Sequence, residues 1–272
     1  MFRKQLLLLL LLTVFLGSCK EEENPPVQDT GKIVIQFHHR YNNEYVGFDN
    51  LHYINKAGNQ MMFSEIQYFI SDVTLHYTDD RAYLINKWKD IHYVDSDIPS
   101  TQTWEVYDSI PAGIIDSISF TFGINEEKNQ SYMYVNPPES LMFWPDILGG
   151  GYHYMKINGK WLNEQQQLSP FNFHLGIGQI YDNQQQITGF IQNYFHVGVT
   201  LPVYSSYILK IEPGQESAIA IAMNVERWFE GPNTWDFNYW GGDIMQNQAA
   251  MQTACENGRD VFTLETPLYP NK

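Results

Sequence analysis

Cysteine is nearly missing from this chain of 272 residues, which contains only Cys19 and Cys255. Two cysteines are too few for a disulfide framework or a thiolate metal cluster. No His or Lys stands close to Cys255 in the sequence to lower the pKa of its thiol, so we expect this residue to be structural.

Positive charge is also scarce, since 16 Lys and Arg residues face 31 Asp and Glu residues and the net charge is −15. A chain this acidic repels phosphate groups, which excludes nucleic acid as a partner. Catalytic motifs such as a Gly-x-Ser-x-Gly elbow or a His-Glu-x-x-His pair are missing, and Gly149-Gly150-Gly151 leads into a predicted strand instead of the helix that a phosphate loop needs. We therefore expect a protein that is not an enzyme, with a hydrolase as the least favoured class.

Long hydrophobic runs are absent as well, because the apolar stretch over residues 6–16 is too short to cross a membrane with room to spare. Arg3 and Lys4 precede it and Leu16-Gly17-Ser18-Cys19 follows it, which is typical of a signal peptide that ends in a lipobox. We predict that residues 1–19 form this lipoprotein signal and that the Cys19 thiol carries the diacylglycerol that anchors the mature chain to a membrane.

A polar, Pro-containing segment over residues 20–30 predicts an acidic flexible tether. Its first residues, Lys20-Glu21-Glu22-Glu23, resemble the acidic export tag of surface lipoproteins in some Gram-negative bacteria. We expect an outer-membrane lipoprotein on the cell surface, with the periplasmic face as the alternative.

Short apolar runs recur along the rest of the chain, separated by turn signals such as Asn158-Gly159. Many short strands without intervening helical patterns predict an all-β fold, namely a β-sandwich of antiparallel strands over residues 31–225. One stretch is typical of a helix, since Asp243 can cap residues 244–256 and Asn257-Gly258 follows. Residues 226–272 are thus predicted to form a C-terminal extension with one short helix.

Histidines are the most informative polar residues that are present. Five of the eight lie in aromatic strand contexts, namely His38, His39, His153, His174 and His196. Imidazole nitrogens are common transition-metal ligands, and separate strands can bring several together without a local motif, although a lone strand histidine more often has a structural role. His52 and His76 stand in no distinctive context, and we assign them such roles.

The first strand separates its two histidines by face. The two-residue period places Ile33, Ile35, Phe37 and His39 together and puts His38 on the opposite face. The same reasoning places His174 on the face opposite Phe173 and Leu175. We predict that His38 and His174 share one polar site and that His39 acts mainly on stability.

Aromatic residues offer an alternative function. Trp144, Trp161, Trp228, Trp235 and Tyr239 could form stacking platforms of a surface glycan-binding lipoprotein. Exposed, coplanar tryptophans would favour this alternative, whereas converging imidazoles would favour a metal site.

Five segments, taken in order, carry a family resemblance. They are Phe37-His38-His39, residues 66–75, residues 118–124, Met142-Phe143-Trp144-Pro145 and residues 171–176. This order resembles the MbnP-like domain, the copper-binding protein family associated with methanobactin systems. The resemblance implies a secreted β-sandwich that binds copper through histidines and, in some members, a tryptophan that a di-haem partner of the MauG type oxidises to kynurenine.

The resemblance also points to residues. It implies a histidine ligand at His38 or His39, another at His174, and the tryptophan at Trp144; the sequence departs from the family's Phe-Trp-Thr-Trp pattern, because Asp146 replaces the second tryptophan. We expect copper ligands from His38, His39, His153 and His174, with His92 and His196 as reserves. Zinc suits the same ligand types, so the choice of copper rests on the resemblance.

Overall fold

The computed structural model describes residues 29–87, 90–200 and 208–265. The predicted signal peptide with Cys19 and almost all of the predicted tether lie outside these residues, and the C-terminal extension is described as far as residue 265. None of the described helices is long and apolar enough to span a membrane.

Strands dominate the described residues. In chain order they are β1 (Thr30–Tyr41), β2 (Glu44–Tyr45), β3 (Tyr53–Ile54), β4 (Gln60–Tyr77), β5 (Ala82–Leu84), β6 (Ile91–Asp95), β7 (Thr103–Pro111), β8 (Gly113–Phe122), β9 (Met155–Leu162), β10 (Leu168–Leu175), β11 (Gly178–Tyr181), β12 (Ile187–Ile191), β13 (Phe195–Thr200), β14 (Leu209–Ile211), β15 (Glu216–Asn224) and β16 (Phe262–Glu265). The helices are α1 (Arg227–Glu230), α2 (Phe237–Trp240) and α3 (Gln248–Gly258). The predicted all-β class is confirmed.

Two sheets form the layers of the sandwich. The first sheet has the order β16-β15-β1-β2, with β7 also paired to β1, and the second has the order β10-β9-β4-β8-β13, with β3, β5 and β6 on β4 and β14 on β8. A separate hairpin joins β11 and β12. Pairing between the described strands is antiparallel except for β1 with β15, which run parallel.

The core lies between the sheets and follows the alternation of β1. Ile33, Ile35, Phe37 and His39 are buried, whereas the residues between them are partly exposed. Phe37 packs edge to face on Tyr68 of β4, with ring centroids 6.5 Å apart. Large rings that leave water in this way supply much of the driving force for folding. The predicted faces of His38 and His39 are therefore confirmed.

The turn predicted at Asn158-Gly159 is wrong, because both residues lie inside β9. A Cβ at position 159 would lie 2.1 Å from the Met62 carbonyl and 2.5 Å from the Phe171 ring, so glycine serves close packing here and not a turn. Asn158 consequently projects from a regular strand.

The C-terminal extension contains three described helices where one was predicted, and the helix that matches the prediction, α3, begins later than predicted. The N-cap of α3 is Asn247, whose side chain accepts a hydrogen bond from the Ala250 amide, while Asp243 instead accepts one from the Asn172 side chain at 2.6 Å. Cys255 lies on α3, where burial raises its pKa to about 12 and its thiol donates to the Asn193 carbonyl. This environment suits a structural thiol.

Candidate metal centre

The candidate centre lies on the outer face of the second sheet. Along β10, Phe171, Phe173 and Leu175 point into the core, so that His174 points outward. Strand pairing places His174 beside Lys156 of β9 and Lys156 beside Gln67 of β4. The outward face therefore carries a polar row across three strands.

Two short 3-10 turns, Glu139–Met142 and Asp146–Leu148, belong to the segment that covers this face. Between them Trp144 is fully buried, and its indole nitrogen donates to the Leu148 carbonyl at 3.1 Å. The indole packs so closely on Gly176 that a Cβ at this position would lie 2.5 Å from the ring. The bare backbone after β10 is thus what admits the tryptophan.

Three of the predicted site residues meet beneath this cover. The ring centroids of His153 and His174 are 5.2 Å apart in an edge-to-face arrangement. Trp144 packs edge to face on His153, with centroids 4.6 Å apart. The covering segment, residues 152–154 just before β9, and the outward side of β10 therefore bring together two imidazoles and one indole.

Hydrogen bonds define which nitrogen of each imidazole carries a proton. His153 donates through Nδ1 to the Met142 carbonyl at 2.9 Å, which leaves the lone pair on Nε2. His174 donates through Nε2 to Oδ1 of Asn158 at 2.7 Å, which leaves the lone pair on Nδ1. Both remaining nitrogens are shielded from solvent and have no hydrogen-bond partner among the residues that the structure describes.

Both imidazoles are neutral near neutral pH. Burial lowers the pKa of His153 to about 3 and that of His174 to about 4, and the positive charge of Lys156 lowers both further in the same direction. Metal ligation requires a neutral imidazole with a free lone pair, and a buried polar atom without a partner is costly. The pair has the protonation state and the vacant acceptors of metal ligands.

Asn158, which was not among the predicted site residues, connects His174 to the carboxylate of Glu65. Its Nδ2 donates to Glu65 at 2.9 Å while its Oδ1 accepts from His174. Oxygen atoms of Glu65, Asp95 and Asp97 lie within 4.8 Å of one another beside this link. Alternation along β9 could have placed Asn158 on the outer face, but its contact with His174 depends on the pairing of β9 with β10.

The other two predicted ligands lie elsewhere. His38 is on the outer face of the first sheet, where Nδ1 is 2.7 Å from Glu265. His39 is between the sheets, edge to face with Tyr68 at 5.8 Å, and burial lowers its pKa to about 4. The prediction that His38 and His174 share a site is wrong, because the whole sandwich separates their faces.

The reserve histidines do not join the pair either. His92 stacks between Phe37 and Trp104, at 5.1 and 4.8 Å, and donates through Nε2 to the Thr101 carbonyl. His196 is exposed on β13, with Nδ1 3.2 Å from the Thr121 hydroxyl. Both have a place in the packing or on the surface that needs no metal.

The tryptophan platforms of the glycan alternative are not on the surface. Trp144, Trp228 and Trp235 are fully buried, and Trp161 is 8% exposed. Tyr239 is exposed, but it is a single ring. These tryptophans pack the core and the cover, so the observation that would have favoured glycan binding is not met.

Comparison with known proteins agrees with the fold. The solved structure of MbnP from Methylosinus trichosporium is similar over 77% of this chain and 80% of that one, with a TM-score of 0.50 and 16% sequence identity. A comparison with curated proteins gave no match. The family model MbnP matches residues 30–250, which is most of the chain. The chain belongs to the MbnP family.

Proposed function

We propose that this protein binds copper through His153 and His174 and works in copper acquisition, storage or handover outside the cytoplasm. The observation that carries the proposal is the pair of buried, neutral imidazoles, each with one nitrogen fixed by a hydrogen bond and the other without a hydrogen-bond partner in the described part of the chain. Such second-sphere bonds set the tautomer and ring orientation of metal-ligating histidines. The role is binding and delivery and involves no catalysis.

The donor set fits copper by ligand type. Imidazole suits copper and zinc, and the described residues place neither a thiolate nor a carboxylate in hydrogen-bond contact with either ring. The indole of Trp144 closes one side of the pair and keeps water from it. Two neutral imidazoles do not distinguish copper from zinc, and we propose copper because the chain belongs to the MbnP family.

Location and partners belong to the same proposal. Acylation at Cys19 would hold the domain at the outer membrane, with surface display ahead of the periplasmic face. A di-haem protein of the MauG type is the proposed partner for oxidation of Trp144. Since Trp144 is fully buried, such a partner would have to act through the covering segment or after it moves.

Copper titration of histidine variants tests the proposal. We expect His153→Ala and His174→Ala each to weaken copper binding by more than the roughly 10- to 100-fold that the loss of an outer hydrogen-bond partner costs. His38→Ala is the matched control, because it removes an imidazole on the opposite face of the sandwich. Wild-type copper affinity in both site variants, with unchanged melting temperatures, would refute the proposal.

A further inference from the structure

Lys156 is a charged residue fixed beside the imidazole pair. It is the strand partner of His174, and its Nζ donates to the Leu141 carbonyl at 2.6 Å. The next carbonyl along the chain, that of Met142, accepts the Nδ1 proton of His153. One short turn therefore holds both the ammonium group and the first imidazole, and the neighbouring strand holds the second.

The positive charge of Lys156 reaches both rings. It lowers the pKa of His153 and of His174, where burial is the larger cause, and Asp243 opposes it at His174 alone. Glu65 and Asp95 act on Lys156 itself, raising its pKa against the lowering by burial. Lys156 is thus the charged side chain whose effect both imidazoles share, and that charge is positive.

We propose that Lys156 sets the charge selectivity of this site, disfavouring divalent ions relative to monovalent copper. The inference rests on the proposed function, because it takes His153 and His174 as the ligands. Two neutral imidazoles bring no negative charge, so a bound ion keeps its full charge beside the ammonium group. Coulomb repulsion scales with the charge of the ion and is therefore twice as large for Zn(II) or Cu(II) as for Cu(I). Lys156 does not ligate the metal and acts on it only through its charge, as a positioning residue.

The test compares affinities of the full-length protein for Cu(I) and Zn(II). Lys156→Met removes the charge and keeps most of the stem, whereas Lys156→Arg retains the charge. Lys160→Met, on the same strand at an exposed position, is the control with the same change in net charge. We expect Lys156→Met to shift the ratio of affinities towards Zn(II) by about tenfold or more, and Lys156→Arg and Lys160→Met to stay within about threefold of the wild type.

A second readout is the reduction potential of bound copper. Loss of the ammonium group stabilises Cu(II) more than Cu(I), so the potential should fall in Lys156→Met and not in Lys160→Met. An unchanged ratio and potential in Lys156→Met, in a protein whose copper binding is lost in His153→Ala and His174→Ala, would overturn the role of Lys156 and leave the proposed function intact. Unchanged copper binding in those two histidine variants would overturn the proposed function itself.

Discussion

Asn158 connects a carboxylate to an imidazole through a single amide. Its Nδ2 donates to Glu65, which can only accept a hydrogen bond when it is ionised. Its Oδ1 must therefore face His174 and accept the hydrogen bond from Nε2–H. Burial raises the pKa of Glu65, and the hydrogen bond from Asn158 opposes that rise. The orientation of this one amide thus decides which nitrogen of His174 remains free.

Removing that amide should loosen the second ligand. In Asn158→Ala the Nε2 proton loses its acceptor, so the ring can rotate or change tautomer, and we expect copper affinity to fall by roughly 10- to 100-fold. Asn172→Ala is the matched control, since Asn172 lies opposite Asn158 on the same face and bonds to Asp243. Copper titration measures both, and an affinity in Asn158→Ala equal to that of the control would contradict the assigned tautomer.

His39 should make stability depend on pH. Burial lowers its pKa from 6.5 to about 4 in the folded state, so between these values the unfolded state binds the extra proton. Protonation of His39 therefore does not reduce the free energy of unfolding above pH 6.5. As the pH falls from 6.5 towards 4, that free energy decreases by about 1.4 kcal/mol per pH unit.

The His39→Leu variant tests this sign. Denaturant unfolding of the metal-free protein across that pH range should show a shallower loss of stability than the wild type. Phe37→Leu, a change on the same buried face without a titrating group, should shift the whole curve and keep its slope. Equal slopes in His39→Leu and the wild type would contradict a buried neutral imidazole.

The covering segment and β10 fit together as elements because one backbone position lacks a side chain. Trp144 lies against Gly176 just beyond the end of β10, and the same indole contacts His153. Packing density inside proteins leaves little room for extra atoms, so this contact sets the distance between the covering segment and the sheet.

Gly176→Ala should therefore displace the tryptophan. The added methyl group would meet the indole at 2.5 Å, and we expect a loss of about 1–3 kcal/mol in the free energy of unfolding together with weaker copper binding. Gly198→Ala on β13 is the control, because no residue that the structure describes lies within 4 Å of a Cβ there. Thermal melts compare the two, and equal melting temperatures would show that the cover adjusts without cost.

The whole molecule combines an acidic domain with a predicted lipid anchor. Its net charge of −15 opposes adsorption to anionic surfaces, so the membrane attachment that we propose would come from acyl chains. The imidazole pair lies on an outer face of the sandwich under a cover of one segment, where a partner could reach it without opening the core between the sheets.

Anchoring is tested on protein from the native membrane. We expect mass spectrometry to find a chain that begins at Cys19 with a lipid adduct, and Cys19→Ser to release the protein from the membrane fraction. Cys255→Ser should remain bound. A free amine at a residue other than Cys19 would contradict the lipobox.

Local sequence determined much of the fold and part of the site. Alternation along β1 and β10 determined the faces of His38, His39 and His174, because side-chain direction in a strand depends only on position. Residue order indicated the family, and the recurrence of short apolar runs without intervening helical patterns indicated the all-β class.

The pairing of strands and the fold of the cover were decided by the tertiary structure. His174 meets His153 and not His38, because faces of different sheets are related only by packing over long stretches of chain. The tertiary structure also decided that the tryptophans are buried, since the same local sequence can place a ring in the core or at the surface. Lys156 and Asn158 became part of the site because the register of β9 with β10 set them beside His174, and register is a property of two strands together.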